Sequence, residues 1–265
     1  MTPAPYPHPA CTLLTQTVNV LTKRKCEVMT ITFEPKKVVV FLGTMIICLI
    51  VANFVGVVSR YHFGYSRIAL FELDREANIP TLYSSVTILL CAGLLAVIAT
   101  ARRRQEKRDY LYWAGLAAVF LFLSADEAAG IHERLIEPLR NSLNTSGVLS
   151  FAWVIPYGIF VIAMMLIYFR FLFSQDVRIR NLIIFAGILY VAGALGVELI
   201  GGHWSELHGP ENITYALITT LEESLEMTGI LVFIYALMSY ITFELSDLSF
   251  NIGSLAQNTN SKTGL

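Results

Sequence analysis

Six apolar runs divide this chain: Val38–Val58, Thr81–Thr100, Tyr110–Gly130, Phe151–Phe173, Leu182–Gly202 and about Glu223–Phe243. Each approaches the roughly 20 residues that carry an α-helix across the hydrocarbon of a bilayer. Backbone N–H and C=O groups find no water there, so a spanning segment must close its own hydrogen bonds. The expected fold is therefore all-α, a polytopic membrane bundle of six transmembrane helices over residues 38–243. Composition agrees, because 55% hydrophobic and 15% charged residues, with a mean hydropathy of +0.60, lie outside the range of a soluble domain.

Net charge is only −1, but the charges are segregated. Five basic residues precede the first run, Arg102, Arg103, Arg104, Lys107 and Arg108 link the second to the third, and Arg170, Arg178 and Arg180 link the fourth to the fifth. With Lys262 they put 14 of the 19 Lys and Arg residues on one side. The positive-inside rule makes that side cytoplasmic, both termini included. The opposite, outer side then holds 13 of the 20 acidic residues and His62, His132, His203 and His208. Residues 1–37 form a polar cytoplasmic leader without the apolar core of a signal peptide. Its first 28 residues are expected to be disordered or to precede the true start at Met29, and residues 244–265 to form a disordered cytoplasmic tail. The cysteines lack metal or redox spacing, and no disulfide is expected. The partners expected are membrane lipids, with no nucleic acid.

The carboxylates are layered. Asp126 follows Arg108 by 18 residues, Glu198 follows Arg180 by 18, and Glu226 precedes Glu244 by 18. At about 1.5 Å of rise per residue, all three stand roughly 27 Å from the opposite boundary. Around them lie Glu127, His132, Glu133, His203, Glu222 and Glu223. At about 100° per residue, Asp126 and Glu133 eclipse one another on a straight helix, and Glu222, Glu223 and Glu226 share one face. Glu127 and His132 fall roughly 140° apart, so His132 joins the acids only if Gly130 loosens the turn. Two like charges about 6 Å apart cost roughly 3 kcal/mol at an effective dielectric of 20. A packed acidic layer thus needs a bound cation, a retained proton or an arginine, and Arg134 and Arg140 are nearest in sequence.

Mixed carboxylate and imidazole donors suit zinc, manganese or iron better than calcium or magnesium. The metal-ligand candidates are Asp126, Glu127, His132, Glu133, Glu198, His203 and Glu223, with Glu222 or Glu226 as catalytic base. No HExxH, Glu-x-x-His or HxxxH signature accompanies them. One reading is a divalent metal activating water against a lipid or small amphiphile. The alternatives are a cation- or proton-coupled transporter or channel component, or an assembly subunit without chemistry. Whether the chain is an enzyme stays open at this level. Side chains such as Glu137, Glu206, His208 and Glu211 read as hydrated decoration of helix ends.

Local signals add detail. Pro80 suits the first turn of the second span, and the segment before it lies on the membrane surface or folds over the helices. The third span continues as helix past the bilayer until Pro138 disturbs it, and Gly201-Gly202 read as the stop of the fifth. Glu127-x4-His132 is echoed by Glu198-x4-His203, pointing to equivalent positions. Tyr83, Ser84 and Ser85 lie where they could hydrogen-bond the acids.

The combination EANIPTLYSS (76–85), SADEAAGIHE (124–133) and EESLEMTG (222–229) resembles an uncharacterised family of bacterial multipass membrane proteins, across spans two to six. The resemblance implies the inner (plasma) membrane of a bacterium and transfers no activity. More loosely, the chain is similar to membrane-embedded metal hydrolases of the alkaline ceramidase type, which place acidic and His residues within a helical bundle. It lacks their paired histidines on one helix.

Overall fold

The computed structural model describes residues 34–245 apart from residue 67, with no strand among them. The expectations for residues 1–28 and for the end of the tail lie outside the described residues. In chain order the helices are α1 (Pro35–Phe63), α2 (Ile79–Arg104), α3 (Tyr110–Ala129), the short α4 (Ile131–Arg134) and α5 (Ile136–Leu143), α6 (Val154–Phe173), α7 (Val177–Val191), α8 (Glu198–His208) and α9 (Ile213–Glu244). A π-helical turn, Ala192–Val197, joins α7 to α8 without a break. Six helices, counting α7 to α8 as one, are long and apolar enough to cross a membrane. The protein is an all-α, multi-pass membrane protein.

The ends follow local chemistry. Asn78 and Asn212 cap α2 and α9 by accepting the Thr81 and Tyr215 backbone N–H groups. Pro80 sits in the first turn of α2, and Gly64 ends α1 in the left-handed conformation. Two expectations need correction. Gly201 and Gly202 do not stop the fifth span, because the helix runs through them to His208. They are buried instead, Gly201 near Ile218 and Gly202 against Phe151, where the absent side chains permit close packing. Pro138 does not end a helix either; it lies in the first turn of α5, the chain having already broken at Gly130 and Leu135.

The last span also starts earlier than its apolar run suggested. α9 begins at Ile213, so Glu222 lies about 13 Å inside the helix at 1.5 Å per residue. α9 is the central element, packed on α1, α2, α7 and α8. Its approach to α7 depends on Gly229, where a Cβ would fall 2.8 Å from the Tyr190 nitrogen and 3.0 Å from the Ala186 oxygen. Gly193 does the same for the π turn, 2.8 Å from the Glu222 oxygen.

The bundle is solid at its basic end and hollow at its acidic end. In the solid half Leu95, Ile98, Trp113, Ile234 and Leu237 have no exposure, and Phe120 stacks on Phe233 at 4.8 Å. Arg102 closes that end by gripping Asp109 through Nε (2.9 Å) and a terminal nitrogen (2.6 Å). At the acidic end the segment after α1 folds over the helices. Leu73 is driven between Ile46, Leu49, Tyr83 and Met227. Asn53 holds it there, accepting the Leu73 N–H at 3.1 Å and donating to Thr220 at 2.8 Å. α6 stands apart from this packing. Trp153 beside its first turn and Phe171 near its last are buried, while Ile162, Met165 and Leu166 at its middle are exposed.

Gly229→Val should therefore cost at least about 1–3 kcal/mol of stability, because the obstruction is backbone and cannot rotate away. Gly158→Ala, at a position with nothing within 4 Å, should be neutral. Thermal unfolding in detergent compares them, and equal midpoints would refute the close α7–α9 approach.

Candidate functional site

Gly130 makes the site. Its φ of 57° ends α3 in the left-handed region and restarts the chain as α4 at a new angle. The swing returns His132 over the end of α3. The backbone N–H of His132 donates to Asp126 Oδ1 at 3.0 Å, and its Nδ1 lies 3.3 Å from Asp126 Oδ2. Asp126 is buried and thus holds the residue by backbone and ring together. A second reason for glycine is that a Cβ at position 130 would run into the Glu76 carboxylate.

Two aromatic rings complete the housing of His132. Trp153 lies 4.8 Å and Tyr157 6.5 Å away, and the two stand 5.0 Å apart at 88° to one another. Trp153 Nε1 donates to Glu198 Oε1 at 2.9 Å, and Glu198 lies within hydrogen-bonding reach of Glu222. A chain of contacts thus runs from α4 through the start of α6 to α8 and α9.

Glu76, His132 and Glu133 each offer a ligand atom, all within 4.8 Å of one another, as a single metal ion requires. With Nδ1 turned to Asp126, Nε2 is the imidazole nitrogen left for a metal. The sequence reading missed Glu76. It lies in a loop without periodicity, 50 residues before Asp126, and the only local sign was its place at the head of the EANIPTLYSS motif. Ala77 beside it holds a φ of 57°, unusual for a residue with a side chain.

These groups border a cavity of about 680 Å³. Asp126, Glu127, Glu133, Glu198, Glu222, Glu223 and Glu226 all line it, as do Asp74, Glu76 and Glu137. Its basic lining residues are Arg75 and His132. Arg134 is not in the lining, and Arg140 lies 4.0 Å from Glu206. The three glutamates of α9 share a face, as their spacing required.

His203 stands apart. It is exposed on α8 beside Gly147 and does not line the cavity. The echo between the two Glu-x4-His pairs thus holds for the glutamates and not for the histidines. Five residues of unbroken helix turn His203 about 140° from Glu198, whereas Gly130 resets the rotation for His132. The serines of α2 also turn elsewhere: Ser85 and Ser124 each donate to the other's backbone oxygen at 2.9 Å, and Tyr83 donates to the Leu42 oxygen. Two residues read as decoration are ties. Glu206 accepts from Gly147 N–H and the Ser150 hydroxyl, and Glu211 pairs with Arg60.

Electrostatics follow the crowding. Burial, then the neighbouring Glu133, push the Glu76 carboxyl above its usual range. For His132 burial opposes the charged form, but the Asp126 hydrogen bond and the surrounding carboxylates outweigh it and lift the imidazole from 6.5 to about 9.

Residues 38–241 match the family described as a domain of unknown function, DUF8692, and the chain belongs to it. The match covers all six spans, and with them every residue of the site. No curated protein and no solved structure matches the chain.

Gly130→Ala should cost about 1–2 kcal/mol for the left-handed backbone alone, with the Glu76 collision added. In chelator-treated protein, the His132 contribution to stability should be complete below pH 6.5 and disappear as pH rises through about 9. His132→Gln should flatten that decline in thermal midpoint, and an unchanged slope would remove His132 as its source.

Proposed function

We propose that this protein is a membrane-embedded, metal-dependent hydrolase acting on a lipid or small amphiphile, its site at the outer face of the bacterial inner membrane. The observation carrying this reading is the convergence of Glu76, His132 and Glu133 at the mouth of a large acidic cavity. Two carboxylates and an imidazole suit zinc, manganese or iron, and leave coordination positions for water and substrate. Asp126 is assigned to orient His132 rather than to ligate, since His132 engages both of its oxygens.

Glu76, His132 and Glu133 would hold such a metal, which would lower the pKa of a bound water and polarise the bond attacked. The protein's own residues do the rest. Glu222 or Glu226, both carboxylates of α9 that line the cavity, is assigned as the base that accepts the proton of the attacking water. Glu226 lies one helical turn further along α9. The segment carrying Glu76 folds over the mouth, so the same loop supplies a ligand and limits entry of bulk water. The segregated basic residues support an outward-facing site.

Transport by the same carboxylates finds less support. A path to the basic end would have to open the core formed by Leu95, Ile98, Trp113, Ile234 and Leu237.

Protein purified in detergent without chelator should carry about one transition-metal ion per chain by elemental analysis. Glu76→Gln combined with His132→Ala should lower occupancy about tenfold or more, the range seen when ligand shells are disrupted. Glu222→Gln should keep the metal and lose turnover of ester or amide lipids. A metal content unaffected by the Glu76 and His132 changes would sink the proposal.

A further inference from the structure

The cavity extends well beyond the metal site, and its two parts differ in chemistry. Below the mouth it is lined by Leu116 and Phe120 of α3 and by Phe160, Met164 and Met165 of α6. Phe160 and Met165 are also 41% and 67% exposed. α6 thus walls the cavity at the level of the spans, where the neighbouring phase is hydrocarbon. α6 is pinned by Trp153 and Phe171 near its ends and leaves this gap at its middle.

Between the apolar part and the mouth stand Glu127, Glu223 and Glu226. None of the three accepts a hydrogen bond from any described residue. His132 lies within electrostatic range of Glu127 and Glu226, and Arg75 enters from the loop above. Three aromatic rings, Trp153, Tyr157 and Tyr190, line the same volume. Ring faces and carboxylates together favour an organic ammonium, which is attracted to both, over a compact hydrated ion. An anionic head group would meet ten acidic residues at this end.

We infer that the cavity binds a single-chain amphiphile with an organic ammonium head. The head is seated among Glu127, Glu223 and Glu226 near the aromatic rings, and the chain lies between α3 and α6. This deepens the proposed function and rests on it, naming the class of amphiphile that would be presented to the metal. The volume of about 680 Å³ falls within the roughly 300–1,000 Å³ typical of sites that enclose a small molecule. Entry is sideways from the bilayer, past Phe160 and Met165.

The test uses the full chain purified in dodecyl maltoside and treated with chelator, with radiolabelled hexadecyltrimethylammonium as the probe. Binding should saturate at about one per chain, and unlabelled hexadecanol, hexadecyl sulfate and tetramethylammonium should compete at least tenfold more weakly, since each lacks the head or the chain. Glu223→Gln with Glu226→Gln should weaken binding about tenfold or more, as when a desolvated charge loses its partner. Glu76→Gln with His132→Ala should retain it, so failure of the metal site and failure of this site are read separately. Equal competition by hexadecanol or hexadecyl sulfate would overturn the inference in the wild-type protein, whatever the folding of the variants. Unchanged affinity in a folded Glu223 and Glu226 double variant would overturn it as well.

Discussion

A carboxylate facing hydrocarbon is so costly that each one in a spanning segment must turn toward protein or a polar space. That constraint organises this bundle. Glu222, Glu223 and Glu226 on α9, Asp126 and Glu127 on α3 and Glu198 on α8 all face one cavity. The opposite half has an apolar core without acids and packs to zero exposure around Trp113, Leu95 and Ile234. One bundle is thereby both a rigid base and a chamber.

The chamber gains its chemical asymmetry from a single backbone event. Gly130 turns α3 back on itself, bringing His132 to Asp126 and making room for Glu76 from a separate loop. The Glu76, His132 and Glu133 grouping, the contacts of Trp153 with His132 and Glu198, and the inner glutamates beside an apolar wall then lie along one cavity.

Much of this was legible from side-chain order. The six spans, the acidic face of α9 and the role of Pro80 follow from periodicity and local backbone preference, which tertiary contacts do not alter. His132 was legible only conditionally, because its direction depends on whether Gly130 interrupts the helix. The same condition attached to Gly201-Gly202 has the opposite outcome: there the neighbours Phe151 and Ile218 occupy the space, and the helix continues past His203. A glycine pair signals either a stop or a close approach, and the neighbour across the groove decides which. Glu76 carried no periodic signal at all, since a loop residue acquires its place from Leu73 and Asn78 anchoring the segment around it.

By itself the sequence determined that this chain crosses a membrane six times, segregates its charge and gathers its acids in one layer. Hydropathy and helix rise are properties of a segment alone. Only the tertiary structure decided which acids meet a histidine, that Glu76 joins His132 and Glu133, that His203 stands apart from the cavity, and that α6 walls the cavity beside the inner glutamates. Those outcomes depend on rotation and distance between elements, which packing of glycines against backbone fixes and no single segment encodes.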